Sequence, residues 1–278
     1  MEAGSHINVL SLFIKPNKWS LMHLAGLRIE RHDRAHMATI VGNTQLPRDD
    51  DPLFETLAKD FAQPTKEQLL RDDLALLYNN QFMRAFDDIW SALYAFEHGY
   101  SVQSELCNIA NEFIKVTRPT YLDSSYSYSS ISFYLSSLKI RGKFTGVGTY
   151  YRPLDKGLPF TIFVGRKGPD RLCSAEEVVP YLLLQAILKY ERNPTLDSHT
   201  AFVVSMKGTT LQFNKGAVSR EYLKDLIRRK VPSDPLMFLR SDPYELLEQD
   251  GRRECVRGFL GLIRNIHTQL ELYEAREH

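Results

Sequence analysis

Pro159-Phe-Thr-Ile-Phe-Val-Gly-Arg-Lys-Gly168 opens the segment that decides the fold. Phe160 to Val164 is a run of β-branched and aromatic residues, with Pro159 before it and Gly165, Gly168 and Pro169 after it. That pattern predicts a buried strand ending in a turn. Ser174-Ala-Glu-Glu177 then reads as a capping box, in which the serine side chain and the glutamate three residues on satisfy each other's free amides. Beyond it Val179, Leu182, Leu183, Ala186, Ile187 and Tyr190 recur at helical spacing, while Leu184 and Leu188 lie on the other faces. A helix apolar nearly all round is predicted to be buried. Pro180 either starts the regular helix or kinks it, since it lacks an amide hydrogen, and Asn193-Pro194 ends it. Thr200 to Ser205 reads as a second strand, Lys207-Gly208 as a turn, and Thr209 to Phe213 as the returning hairpin strand. Strand, connecting helix and strand in that order predict a sheet with helices packed on it.

Upstream the pattern is helical. Leu53, Phe54, Leu57, Ala58 and Phe61 make a short amphipathic helix stopped by Pro64, and Thr65 with Gln68 is a second capping box. From Leu70 to Phe96 apolar residues keep helical period, with an interruption at Asn79-Asn80. Ser101 is placed to cap a further helix carrying Leu106, Ile109, Ala110, Phe113 and Ile114, which Pro119 closes. The aromatic stripe of this region is the kind of face an amphipathic helix buries. Nearer the start, Ile7 to Ile14 suits a strand, and Leu21 to Ile29 suits a strand or a short helix. His32 and His36 are spaced for a shared metal on a helix, but no acid accompanies them and a polar turn is expected. Asp49-Asp50-Asp51 reads as a solvated loop leading into a helix N-terminus, where acids complement the dipole.

Downstream of Pro119, the Tyr/Ser-rich run from Tyr121 to Ser137 reads as a loop passing into a half-buried strand. Two short strands are expected at Leu138 to Phe144 and Val147 to Tyr151. After Phe213, Ser219 caps a helix bearing Tyr222, Leu223, Leu226 and Ile227, and a final amphipathic helix runs from Cys255 to Leu272. The expected class is therefore α+β or mixed α/β. A helical N-terminal half (1–118) packs on a C-terminal mixed sheet with flanking helices (119–278), and the two can form one continuous domain.

Composition narrows the function classes. The 278 residues are 43% hydrophobic and 25% charged, ordinary for a globular chain with a sizeable core. A net charge of +1 offers no global case for nucleic-acid or membrane binding. Three scattered cysteines argue against a disulfide framework and for a reducing, intracellular setting, cytoplasmic or nuclear. No apolar run approaches the length of a transmembrane helix, so no membrane partner is expected. Lone His98, His199 and His267 read as surface or capping residues, and no Gly-x-Ser-x-Gly elbow or His-Glu-x-x-His helix occurs.

The stretch from Pro159 to Gly168 resembles the core strand of the PD-(D/E)xK nuclease-like superfamily, particularly its divergent fungal members. In that family an acid near a turn precedes a strand ending in acid-x-Lys, and a helix often carrying Gln and Tyr follows, then a hairpin. The resemblance implies Asp155 as the first acid, Lys167 as the lysine, Gln185 and Tyr190 as the helix residues, and Ala201 to Phe213 as the hairpin. It covers about 60 residues, from 150 to 213. Gly165, however, stands where the second acid belongs. Two carboxylates hold the Mg²⁺ that neutralises charge developing on a scissile phosphate, so the resemblance implies a pseudoenzyme without cofactor. An active nuclease would need Mg²⁺ and a migrated acid, for which Glu176 and Glu177 are the candidates.

Two binding functions stand beside that enzyme reading. One is docking of a protein partner, and an unrelated scaffold domain would act the same way. The other is nucleic-acid binding through Arg166, Lys167, Arg171, Arg220, Lys224, Arg228, Arg229 and Lys230, provided the fold gathers them on one side. A solvated helix face is the competing explanation for these cations. Nothing in the sequence sets homo-oligomerisation.

Overall fold

The computed structural model describes residues 20–71, 73, 77, 79–119, 123–127, 131–134, 141–144, 147–152, 155–168, 172–228 and 230–274, with side chains outside 123–149, 151–158 and 272–274. The N-terminal half supplies α1 (Leu21–Gly26), β1 (Ile29–His32), α2 (Met37–Val41), α3 (Pro52–Ala62), α4 (Lys66–Arg71), α5 (Met83–Glu97) and α6 (Gln103–Thr117). Then come β2 (Asp123–Ser127), β3 (Ile131–Tyr134), β4 (Arg141–Phe144), β5 (Val147–Arg152) and β6 (Asp155–Arg166). The chain ends with α7 (Ala175–Arg192), β7 (Ser198–Lys207), β8 (Thr210–Ser219), α8 (Arg220–Ile227), β9 (Leu236–Arg240), β10 (Tyr244–Glu245) and α9 (Gln249–Glu274). The strand expected at Ile7 to Ile14 lies outside the described residues.

Strand order in the main sheet is β1-β9-β8-β7-β6-β5-β2, with β10 paired to β8, while β3 and β4 form a separate hairpin. β6 and β7 run parallel, joined by α7, and β1 runs parallel to β9. The remaining pairs are antiparallel. Alternate residues of each strand serve two apolar layers. Phe163, Phe202, Val204 and Phe213 join α3, α5, α6 and α9, whereas Ile162, Val164, Ala201 and Val203 pack under α7, α8 and α1. A strand covered on both faces reads as a continuous apolar run, which is why Phe160 to Val164 shows no alternation. The fold is thus α+β, a helical N-terminal half packed on a mixed sheet with flanking helices. One core cluster draws residues from both halves.

Local rules explain most boundaries. The Glu177 carboxylate accepts from the Ser174 amide at 2.8 Å, and α7 begins at once. Pro180 sits inside that helix rather than at its start. The Asn79-Asn80 break separates α4 from α5, where the Asn80 amide bridges the Asp60 carbonyl and Gln63. Thr65 and Gln68 exchange the two capping-box bonds, at 2.8 and 3.2 Å. Asp51 caps α3 by accepting from Leu53 and Phe54, and Asp49 pairs with Arg257 at 2.6 Å. His32 ends β1 while His36 caps α2, so the two histidines serve different elements. Of the aromatic stripe, Phe61, Phe82, Phe86 and Phe113 form a buried ring cluster with Phe259 of α9. Each fully buried Phe contributes on the order of 1.5–3 kcal/mol. Trp90 and Tyr94 from the same helix stay exposed.

Candidate functional site

The glycine in the acid's place is filled from the other side. α6 arrives end-on at β6, and a Cβ at Gly165 would lie 2.4 Å from the Gln103 Cα and 2.6 Å from the Val102 carbonyl carbon. The buried Gln103 amide locks this approach. It accepts from the Gly165 N–H at 2.6 Å and donates to the Phe163 carbonyl at 2.9 Å, taking the place of a backbone partner. Ser101, expected as the cap of α6, instead donates to the Gly165 carbonyl, and the helix starts after Val102. No side chain fits at 165, and a carboxylate least of all.

The other nuclease-like positions do not converge. Asp155 is the first residue of β6 and Lys167 follows its last. Register through β5 sets Asp155 beside Arg152, four steps from the Gly148–Phe163 pair, and Lys167 lies four steps beyond Phe163. Those eight steps put the two on the order of 25 Å apart, so they share neither a metal nor a phosphate. Gln185 is fully buried and braces α7 to β7, accepting from the Phe202 N–H at 2.6 Å and donating to its carbonyl at 3.3 Å. Tyr190 packs edge-on against His199, centroids 5.5 Å apart. His199 was expected at the surface but is 1% exposed, with neither ring nitrogen partnered. Burial first, and then the charge of Lys189, push its pKa down to about 4. Among the described residues no three His, Cys, Asp or Glu side chains gather as a metal site.

The basic set also divides. Arg166 lies opposite Lys207 at one end of β7, whereas Ser219, which caps α8, lies opposite Ser198 at the other. Nine residue steps of strand place the two ends about 30 Å apart. On α8, Arg220 pairs with Asp197 at 3.3 Å and Lys224 with Glu221 at 2.7 Å, so that face is a mixed-charge solvated helix. Arg228 and Lys230 follow it, and Arg171 and Arg229 lie outside the described residues. The fold does not gather the described members of the set into one phosphate-tracking stripe.

What does gather is a polar cluster at the carboxyl ends of β6 and β7, beneath the N-terminus of α7. On this face the apolar side chains of Val203, Val218 and Phe238 give way to Ser205, Lys207, Gln212, Asn214 and Arg240, all buried. The Asn214 amide donates to Ser205 Oγ at 3.0 Å and accepts from Arg240 Nε at 3.3 Å. Lys207 Nζ stands 3.7 Å from Glu177 and Arg166 Nε 4.0 Å from the same carboxylate. Arg166 also donates to the Tyr181 hydroxyl at 2.6 Å. Cys173 sits among them. Burial raises its thiol pKa to about 11, against the opposing pull of Arg166, Lys207 and Arg240, so it stays a protonated, unreactive thiol. The sequence signal for this cluster was the change from apolar to polar at two-residue spacing along β7 and β9.

This is the place where open sheets with a helical crossover characteristically carry ligands, outside the carboxyl ends of parallel strands. The arrangement can bind charge, and its central carboxylate, Glu177, is already engaged by the Ser174 amide and two cations. No family model and no curated protein matches this chain. No described helix is long and apolar enough to cross a membrane.

Proposed function

We propose that this chain is a non-catalytic, nuclease-like binding module that acts through a protein partner. The observation that carries the reading is the packing of α6 backbone against Gly165, which removes the second carboxylate and leaves no room to restore it. The separation of Asp155 from Lys167 along β6 supports the same reading. So does the commitment of Glu177, one of the two candidate migrated acids, to Arg166 and Lys207.

Protein docking is favoured over nucleic-acid tracking because the basic residues occupy opposite ends of the sheet. Along α5, Trp90, Tyr94 and His98 form an exposed ring ladder with centroid spacings of 6.2 and 3.9 Å. Tyr100, 63% exposed, follows the same helix. Aromatic residues of this kind are enriched at protein interfaces.

The test is incubation of the protein with single- and double-stranded DNA and RNA in Mg²⁺ or Mn²⁺, following cleavage and retention together. The expected result is no cleavage and no salt-sensitive retention. Metal-dependent cutting abolished by Glu177→Gln would overturn the non-catalytic reading. Retention falling steeply with salt would replace the protein partner with nucleic acid.

A further inference from the structure

We infer that the polar cluster beneath α7 is a binding site for a small phosphate-bearing molecule, with Arg240, Lys207 and Arg166 as its anion-holding residues. The inference stands apart from the identity of any protein partner, because it concerns the α7 side of the sheet and is read out with a free anion.

Three observations carry it. Arg240 projects from β9 onto the buried sheet face and is only 5% exposed, yet its Nη2 has no hydrogen-bond partner among the described residues. Its Nε meets Asn214, and its Nη1 reaches Asp33 only at 4.0 Å. A buried guanidinium with a free donor is the kind of unsatisfied group that a ligand completes. Lys207 is the second observation. Its ammonium is nearly as buried, and its partners are the Leu172 carbonyl at 3.5 Å and Glu177 at 3.7 Å, both at the edge of bonding range. The third is convergence. Arg166, Lys207 and Arg240 all act on the Cys173 thiol together with the Glu177 carboxylate, and Arg31, Asp33 and Glu176 act on Arg240, so among the described groups four cations face three carboxylates. Cys173 immediately precedes the cap of the 18-residue helix α7, whose N-terminal dipole adds to the same field.

A phosphate fits this set better than a carboxylate. Two guanidinium forks and an ammonium approach from β6, β7 and β9, and a tetrahedral dianion can accept from three directions at once.

The experiment uses the full chain at constant ionic strength, with chloride as the balancing anion. Thermal unfolding and calorimetric titration are run with inorganic phosphate, with phosphoserine as a phosphomonoester, and with acetate. Phosphate is expected to raise Tm and acetate is not. Arg240→Gln and Lys207→Gln should each weaken phosphate binding by about tenfold or more, the loss of one charge-assisted hydrogen bond. Lys224→Gln on α8 should leave it unchanged. If one buried-site variant fails to fold, the other carries the test. Tighter binding of phosphoserine than of phosphate assigns the site to phosphomonoesters, and the reverse assigns it to the free ion. Unchanged phosphate affinity in a folded Arg240→Gln or Lys207→Gln variant overturns the site. So does an acetate effect equal to that of phosphate, or no rise in Tm at tens of millimolar phosphate.

Discussion

Gly165 and Gln103 occupy one another's space: the glycine has no side chain because the glutamine's backbone is where its Cβ would be, 2.4 Å from the Gln103 Cα. Placing an acid there by Gly165→Asp should therefore push α6 off β6 rather than build a metal site. We expect a loss of at least about 3 kcal/mol, above the usual range for overpacking because the obstacle is backbone. Urea unfolding checks the stability, and calorimetric titration with Mg²⁺ should find no new site.

Arg252 is fully buried and bonds only to carbonyl oxygens, those of Phe61, Ala62, Pro64 and Leu246. It closes the C-terminal end of α3 from within α9. Arg252→Met would keep the volume and leave those carbonyls without donors, for a loss of about 3–5 kcal/mol. Chemical denaturation should show a lower midpoint with an unchanged slope.

Lys189 gives the molecule a pH dependence of definite sign. It is 1% exposed, donates to the Thr200 carbonyl and Gln269, and lies over the Phe160 and Phe202 rings. Burial lowers its pKa from 10.5 to about 7. Between those values the unfolded chain binds the extra proton, so the Lys189 contribution to stability rises with pH from about 7 and is flat below, while above 9 the buried Cys173 and Cys255 thiols, held protonated by the fold, work against it. The whole effect is at most roughly 4–5 kcal/mol. His199 adds a second acid-side loss as pH falls from 6.5 to about 4. In Lys189→Met the alkaline rise should disappear and Tm at neutral pH should not fall. Thermal melts across that range read both.

Asp51 caps α3 and also pairs with Arg264 at 2.6 Å, and its carboxyl is held below the usual range by Arg264 and the Phe54 and Leu53 amides, which outweigh burial. Asp51→Ala should cost about 1 kcal/mol, most of it from the lost cap. Repeating the melts in high salt should change that difference little, since backbone capping is screened less than a surface ion pair.

The elements with local signals were legible: the capping box of α7, the Gly208 turn between β7 and β8 and the Ser219 cap all fall where residue chemistry puts them, whereas the helical period from Leu70 onward overran α4, which stops at Arg71. The candidate site was not, for topological reasons. Pro159 was expected to bound a short strand, but it sits at a register irregularity inside β6, where a missing amide is tolerated. The strand therefore runs on to Asp155, carrying that residue away from Lys167. The α8 cations follow β8, which returns to the far end of the sheet, so their nearness to Arg166 existed only on paper. Arg240 carries no sequence signal of its own, because a lone arginine after the apolar Leu236-Met-Phe-Leu239 has the look of a strand end, and only the register opposite Asn214 shows it turned inward. β1 has one apolar residue in four and offered no strand signal at all.

That inconspicuous strand has a consequence for how the chain comes into being. Ile29–His32 lies beside Leu236–Arg240, its partner in a parallel pair about two hundred residues later. A growing polypeptide leaving the ribosome holds this early segment unmatched until the β9 segment has emerged, and parallel pairing at such range is slow. Cutting the gene near residue 118 would strip one product of its edge and leave the other with an orphan strand. Expression of halves should give aggregates, and co-expression is the arrangement under which they could still find each other.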